Sequence, residues 1–269
     1  MKYVVCFSGG HSSALVAVEC VRKYGKENVI LLNHDISSAV EHEDIKRFKN
    51  EVANYLGIKI TYANAPNFEI MTPLDVALNK GCFQGYVGKA LCTNELKTKP
   101  FYKWLKENYP VKKGELNKDI TIVYGFDKNE TKRIQRRSSI MGNMGYKTDY
   151  PLAFWDRTIY NTEEIGIKKP ITYDIFKHAN CIGCLKAGRQ HWYVVYCLYP
   201  HIFEKAIKAE NEIGYSIIKG VFLDELLPKF KEMKCRGIVP CDNLNYATFW
   251  ANVRKVLKET EDLPCECSF

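Results

Sequence analysis

The sequence predicts an α/β protein: a mostly parallel open sheet with helices on both faces, followed by a smaller, mainly helical C-terminal region. Three observations predict it. Short apolar runs alternate with longer segments of helical period as far as Gly125, the first run breaks off at Ser8-Gly9-Gly10 just before a helical segment, and the texture changes near Tyr150 to prolines, a close cysteine pair and aromatic-rich helical stretches. Strands alternating with helices of this length imply right-handed βαβ crossovers and hence parallel pairing.

In order, residues 2–7 read as a short buried strand, after which Ala14, Leu15, Val18, Val21 and Tyr24 recur at helical spacing up to Gly25. Val29 to Asn33 reads as a second apolar strand. From His42 to Leu56, Ile45, Phe48, Val52 and Leu56 step by three, four and four residues, which makes a one-faced helix closed by Gly57. A third strand follows at Lys59 to Tyr62, then a helical region from Lys97 to Tyr109, and a fourth strand from Thr121 to Tyr124. Further helical stretches run from Gln190 to Ile218 and from Tyr246 to Lys258. A boundary near Tyr150 divides an α/β domain of residues 1–150 from a cysteine-bearing, mainly helical region of residues 151–269. No internal repeat or glycine-serine linker interrupts the chain, so the second region is expected to pack on the first.

Composition narrows the function classes. With 269 residues, 46% hydrophobic and 26% charged, the chain can bury a large core and is neither a disordered tail nor a peptide. Its apolar runs are far short of a membrane span, and the N-terminal segment lacks the length and small-residue cleavage site of a signal peptide, so a cytoplasmic enzyme with no membrane partner is expected. The net charge of +8 suits solubility, polyphosphate binding or nucleic-acid binding alike. Eleven cysteines are many for a reduced compartment, where some must serve as core, as metal ligands or as redox groups.

The segment Phe7-Ser8-Gly9-Gly10-His11-Ser12-Ser13 falls where a parallel sheet places its ligand, between the carboxyl end of the first strand and the N-terminus of the next helix. Two glycines let backbone amides approach an anion, the hydroxyls of Ser8, Ser12 and Ser13 add donors, His11 stands in the loop, and the helix dipole favours negative charge. The bland alternative is a tight turn with Ser12 or Ser13 as helix cap. The segment is neither a Walker loop nor a dinucleotide fingerprint.

It resembles the PP-loop of the adenine nucleotide α-hydrolase superfamily, Ser-Gly-Gly-x-Asp-Ser, departing from it only at Ser12, where the pattern has Asp. More of the chain resembles one branch, the PAPS reductase-like family: Asp35 after the second strand, Cys92-Thr93-Asn94-Glu95-Leu96-Lys97, the segment from Gly125 to Arg137, Tyr150-Pro151-Leu152 with Trp155, and Cys181-Ile182-Gly183-Cys184, all in the family's order. The resemblance implies a Rossmann-like fold that binds ATP or an adenylyl sulfate nucleotide, with Mg²⁺ at the phosphates and ATP cleaved between its α and β phosphates. Ser12 removes a carboxylate near the expected Mg²⁺. The nucleotide-binding candidates are therefore Ser8, Gly9, Gly10, His11, Ser12, Ser13, Asp35, Lys97, Gly125, Arg133 and Arg137, with Ser12 and Cys267 as the candidate catalytic residues.

In Lys132-Arg133-Ile134-Gln135-Arg136-Arg137, Arg133 and Arg137 share a face if the segment is helical, and guanidinium groups suit phosphate. A solvated helix face is the competing reading. Among the cysteines, Cys181/Cys184 and Cys265/Cys267 form close pairs, the usual grammar of a four-thiolate site for Zn²⁺ or a [4Fe–4S] cluster, with Cys92 and Cys197 competing as further ligands. In the reductase-like and DNA phosphorothioation branches, a cysteine in the region of Cys92 joins the Cys-x-x-Cys around an iron–sulfur cluster. Cys6, Cys20, Cys82 and Cys235 are expected in the core, and His178 and His191 flank the cysteine pair.

Three functions compete. One is ATP-dependent adenylation of an acceptor, followed by sulfur transfer to DNA or tRNA with a sulfur-donor or electron-donor protein as partner. The second is a thiol-dependent sulfonucleotide reductase, in which Cys267, preceded by Glu266 in an echo of the reductases' C-terminal Glu-Cys, attacks sulfur. The third is a non-catalytic nucleotide- or nucleic-acid-binding relative.

Overall fold

The computed structural model describes residues 1–84, 90–112, 114–179 and 181–258. In chain order its elements are β1 (Lys2–Cys6), α1 (His11–Tyr24), β2 (Val29–Asn33), α2 (Glu43–Leu56), β3 (Ile60–Tyr62), α3 (Pro73–Lys80) and a short α4 (Leu91–Thr93). A π-helical turn at Asn94–Thr98 leads from α4 into α5 (Lys99–Asn108). There follow β4 (Ile120–Val123), α6 (Thr131–Asn143), β5 (Lys147–Asp149), α7 (Pro151–Phe154), α8 (Arg189–Leu198), α9 (Pro200–Ile213), α10 (Leu223–Cys235) and α11 (Tyr246–Lys258).

The five strands form one sheet in the order β3-β2-β1-β4-β5, every neighbour pair parallel. Val4 at the centre aligns with Ile30 on one side and Ile122 on the other. The chain steps outward from β1 through β2 to β3, then returns to the other side of β1 to lay down β4 and β5. That reversal makes the carboxyl ends of β1 and β4 the crevice in which an open parallel sheet receives a ligand. The predicted α/β class with a parallel sheet and a helical C-terminal part is the architecture observed.

Both faces of the sheet are covered, which is why its strands read as continuous apolar runs. Tyr3, Val5 and Phe7 bury on one face with Leu15 and Val18 of α1 and Phe48 and Val52 of α2. Val4 and Ile122 bury on the other with Phe101 and Leu105 of α5 and Ile134 and Met141 of α6. Each such side chain removed from water contributes about 1.5–3 kcal/mol before the entropy of ordering it.

The chain divides into two compact units. The sheet unit comprises Met1–Met71 and Thr93–Ile171; the other comprises Thr72–Cys92 and the described residues from Thr172 onward. The expected boundary near Tyr150 thus falls inside the sheet unit, because Leu152, Ile159 and Ile167 are buried in the core cluster that also holds α1. In the helical unit, Lys205 of α9 pairs with Asp75 of α3 at 2.6 Å. Its centre is aromatic: Trp192, Tyr193, Phe203 and Phe230 are fully buried, and the Tyr193 ring meets Phe230 edge-on at 5.4 Å. The stretch read as helical from Gln190 to Ile218 is two helices, α8 and α9, parted at Tyr199 because Pro200 suits only a helical first turn. No described helix is long and apolar enough to cross a membrane.

Candidate nucleotide site

The loop after β1 is shaped by two close approaches to glycine. Gly9 has φ +79°, and a Cβ there would stand 2.8 Å from Cγ of Lys49. Gly125, after β4, faces the same turn: its Cβ would lie 3.2 Å from the carbonyl carbon and oxygen of Ser12 and 3.3 Å from the nitrogen of Ser13. The two central strands therefore deliver their loops into contact at the switch point.

Gly10 caps α1 with no side-chain hydrogen bond, and the first turn holds no acidic residue. The Ser13 hydroxyl donates to the Gly10 carbonyl at 2.7 Å and lies 3.3 Å from the Ser8 hydroxyl, while Ser8 and Ser12 are exposed. The reading of Ser12 or Ser13 as helix cap does not describe this turn: Ser13 bonds a carbonyl, not the first amides. The positive end of the α1 dipole is thus left to solvent or to an anion.

His11 opens the helix and turns toward the segment after α7. Its Nε2 lies 3.3 Å from Oδ1 of Asn161 and 3.4 Å from the Thr162 amide nitrogen. Burial holds its pKa below the usual histidine value, assisted by the positive charges of Lys169 and Arg157, against the Asn161 hydrogen bond. Two cations that the motifs do not mark, Arg157 and Lys169, are therefore felt at His11. The strap carrying Arg157 is held down by α1: Glu19, 3% exposed, accepts from the amides of Thr158 (2.5 Å) and Ile159 (3.0 Å) and from the Thr158 hydroxyl (3.0 Å). Arg22 adds bonds to the Thr158 carbonyl and hydroxyl at 2.9 and 2.8 Å.

At the end of β2, Asp35 is fixed on both sides. Its amide donates to Oδ1 of Asn64 at 2.8 Å, and its own Oδ1 meets the Lys49 ammonium at 3.2 Å. Lys49 also pairs with Glu41 at 2.9 Å and is 1% exposed. The neighbouring His34 places Nδ1 2.5 Å from the Ala63 carbonyl; burial depresses its pKa, with Lys97 contributing in the same direction. The charge of Lys97 is thus felt at His34, the residue before Asp35.

The segment from Gly125 to Arg137 is helical in its second half, as α6. Arg133 pairs with Glu130 and lies over the Phe126 ring at 4.3 Å from its centroid. Arg137 lies over Tyr124 at 5.3 Å and acts on Cys6, whose thiol burial pushes up to about 12. Tyr124, Phe126 and Tyr150 stack with centroids 5.5–6.0 Å apart, and Phe154, 70% exposed, meets Tyr150 edge-on. The Pro151-Leu152 and Trp155 segment proves structural: both Pro151 and Leu152 are buried, and the Trp155 indole donates to Asp149 at 3.2 Å.

The cysteines are less assembled. Cys92, Cys181 and Cys184 all belong to the helical unit and are half-buried. The Cys184 amide donates to Nε2 of His191 at 3.3 Å, and His191 Nδ1 pairs with Asp242 at 3.1 Å, so both ring nitrogens of this buried histidine are engaged. Phe176, His178, Cys181, Ile182, His191 and Asp242 line a cavity of about 20 Å³, about the space of one water. Among the described residues no group of three His, Cys, Asp or Glu side chains could hold a metal ion. Cys197 sits on α8 as a thiol whose pKa burial raises, against the Tyr193 hydrogen bond and the Lys234 charge. Cys265 and Cys267 lie outside the described residues. The core expectation holds for Cys20, which is buried, and for Cys6, which packs partly buried against the cluster around Val4 and Ile122; Cys82 is half-buried and Cys235, at the end of α10, is exposed.

No protein-family profile matches the chain. It is similar to the uncharacterized nin region protein ORF290 of Escherichia phage lambda, with 26% identity over 216 residues, covering 71% of this chain and 68% of that protein.

Proposed function

We propose that the chain is an adenine-nucleotide enzyme of the PP-loop, PAPS reductase-like kind, which cleaves ATP to AMP and pyrophosphate to adenylate an acceptor for sulfur transfer to a nucleic acid. The observation that carries this reading is the uncapped N-terminus of α1, framed by Gly9 and Gly125 at the switch point between β1 and β4. Amides of the Gly9–Ser13 turn and the hydroxyls of Ser8 and Ser12 are suited to hold the β and γ phosphates, with Lys169 and Arg157 adding positive charge. In this reading Asp35, held at the end of β2 by Asn64 and Lys49, accepts from a ribose hydroxyl.

In the proposed reaction an acceptor oxygen attacks the α phosphorus, the bond from that phosphorus to the α–β bridging oxygen breaks, and pyrophosphate leaves with the bonding electrons. A sulfur nucleophile then displaces AMP from the adenylated acceptor. The loop donors act where charge grows on the leaving pyrophosphate, which is how fixed dipoles lower such a barrier. Mg²⁺ would supply further charge neutralisation at the phosphates; Ser8 and Ser12 are the loop's exposed oxygen donors for it. The described residues do not gather three ligands for zinc or an iron–sulfur cluster.

Ser12 favours a second reading. Where the resembled pattern carries an acid, this chain exposes a hydroxyl, and the first turn of α1 holds no carboxylate. A binding protein without turnover would tolerate that replacement. The purified chain with ATP, Mg²⁺ and nucleic-acid acceptors should release pyrophosphate. Tight ATP binding without release would select the second reading.

A further inference from the structure

We infer that Lys49 is a positioning residue for the nucleotide, holding the Asp35 carboxylate at the end of β2 while its aliphatic stem supports Gly9 of the phosphate loop. This rests on the nucleotide-site reading and goes beyond it by linking the loop's two ligand-facing parts through one side chain.

Lys49 occupies the buried stripe of α2, one turn after Ile45, in a helix whose other inward residues are apolar. A buried ammonium is rare unless paired, and one carboxylate would neutralise it. Here there are two. Glu41, with a side chain 7% exposed, is the inner partner at 2.9 Å; Asp35, 20% exposed at 3.2 Å, is the outer one. The asymmetry separates the roles: Glu41 neutralises the ammonium, and Asp35 is held by it toward solvent. Oδ1 of Asp35 takes both the Lys49 ammonium and the Ile36 amide, each at 3.2 Å, so these two bonds hold the carboxylate by one oxygen and Oδ2 is the one to serve a ligand hydroxyl. Meanwhile Cγ and Cδ of Lys49 come so near Gly9 that a Cβ there would stand at 2.8 and 2.9 Å from them. The stem is thus the floor of the loop, and the ammonium is the anchor of the acid beside it.

The two parts separate by experiment. Lys49→Met keeps the stem and removes the charge. Binding of ATP and of pyrophosphate, which lacks a ribose, is measured by calorimetry for the wild type, Lys49→Met, Asp35→Asn, the Lys49→Met/Asp35→Asn pair and Glu41→Gln. Loss of a charged hydrogen-bond partner should weaken ATP about tenfold or more in Lys49→Met, while pyrophosphate affinity is retained. Asp35→Asn should show the same ligand pattern, and the pair should bind ATP no more weakly than Asp35→Asn alone, since Lys49 acts through Asp35. Glu41→Gln should keep ATP affinity. If Lys49→Met fails to fold, the Glu41→Gln/Lys49→Met pair, which removes one charge of each sign, should fold and still lose ATP selectively. Equal weakening of ATP and pyrophosphate, or additive effects of Lys49→Met and Asp35→Asn, would overturn the inference. A wild type that binds neither ligand would instead refute the nucleotide-site reading, and the role of Lys49 would fall with it.

Discussion

The backbone of Ser12 passes 3.2 Å from the point where a Cβ on Gly125 would stand. This approach joins the first turn of α1 to the loop after β4 with no side chain between them. Gly125→Ala must move that turn by a few tenths of an ångström, at a cost of about 1–2 kcal/mol. Because the displaced atoms are the backbone of the turn proposed to bind phosphate, sulfate or pyrophosphate affinity should fall more than stability. Chemical denaturation and anion titration of the same variant check this; unchanged anion affinity alongside a full stability loss would show that the contact serves the fold only.

Gly9→Ala should be worse. It combines a left-handed backbone with a Cβ pressed onto Lys49, so about 2–4 kcal/mol of destabilisation is expected. The midpoint of urea unfolding measures it, and a loss under about 0.5 kcal/mol would mean that the turn relaxes freely.

Much of this was legible in the sequence because it depends on local pattern. The apolar runs of β1, β2 and β4 and the period of α1 and α2 mark themselves, and the strand ends fall within a residue of expectation. Strand β5, Lys-Thr-Asp, did not announce itself, since a short edge strand with no buried residue carries no apolar run. Helix α10 was hidden by Pro228 within it. Lys49 left one signal, a lysine on the apolar stripe of α2, which the spacing of Ile45, Phe48, Val52 and Leu56 made easy to pass over. Arg157 and Lys169 left none: Arg157 adjoins the strap that Glu19 holds against α1, and the Lys169 carbonyl accepts from Arg47 of α2, relations between positions far apart in the sequence.

That strap should depend on Glu19. Glu19→Ala leaves the buried Ile159 amide and the amide and hydroxyl of the more exposed Thr158 without their acceptor, a loss of about 1–3 kcal/mol. Amide exchange at Thr158 and Ile159 should accelerate beyond what global destabilisation explains. Uniform acceleration across the sheet unit would argue against a local clamp.

His11 gives a pH dependence with a definite sign. Its pKa lies below 6.5 in the folded chain, so it is neutral at pH 7, and its contribution to stability is present above 6.5 and lost as pH falls through the lowered value. An anion at the loop would offset Lys169 and Arg157 and raise that pKa. Sulfate keeps its charge across roughly a pH unit on either side of the ordinary histidine value, so its affinity should rise as pH falls across that window and His11→Gln should flatten the rise. A flat wild-type profile would place the anion away from His11.

On α6, Lys132, Arg133 and Arg136 are exposed, and the helix carries no acidic residue. If a nucleic acid is the acceptor, Lys132→Ala with Arg136→Ala should lower the salt dependence of oligonucleotide binding by about two phosphate contacts. Fluorescence anisotropy across a salt series reads this, and an unchanged slope would move the acceptor to another surface.

The central claim is that an adenine nucleotide binds with its phosphates on the Ser8–Ser13 turn. Amide chemical-shift mapping of the labelled chain with ATP tests it most directly. The account predicts saturable shifts at Gly9, Gly10, His11, Ser12 and Ser13, at Gly125 and at Asp35. No saturable shift at millimolar ATP, or shifts confined to the helices from Arg189 onward, would contradict it.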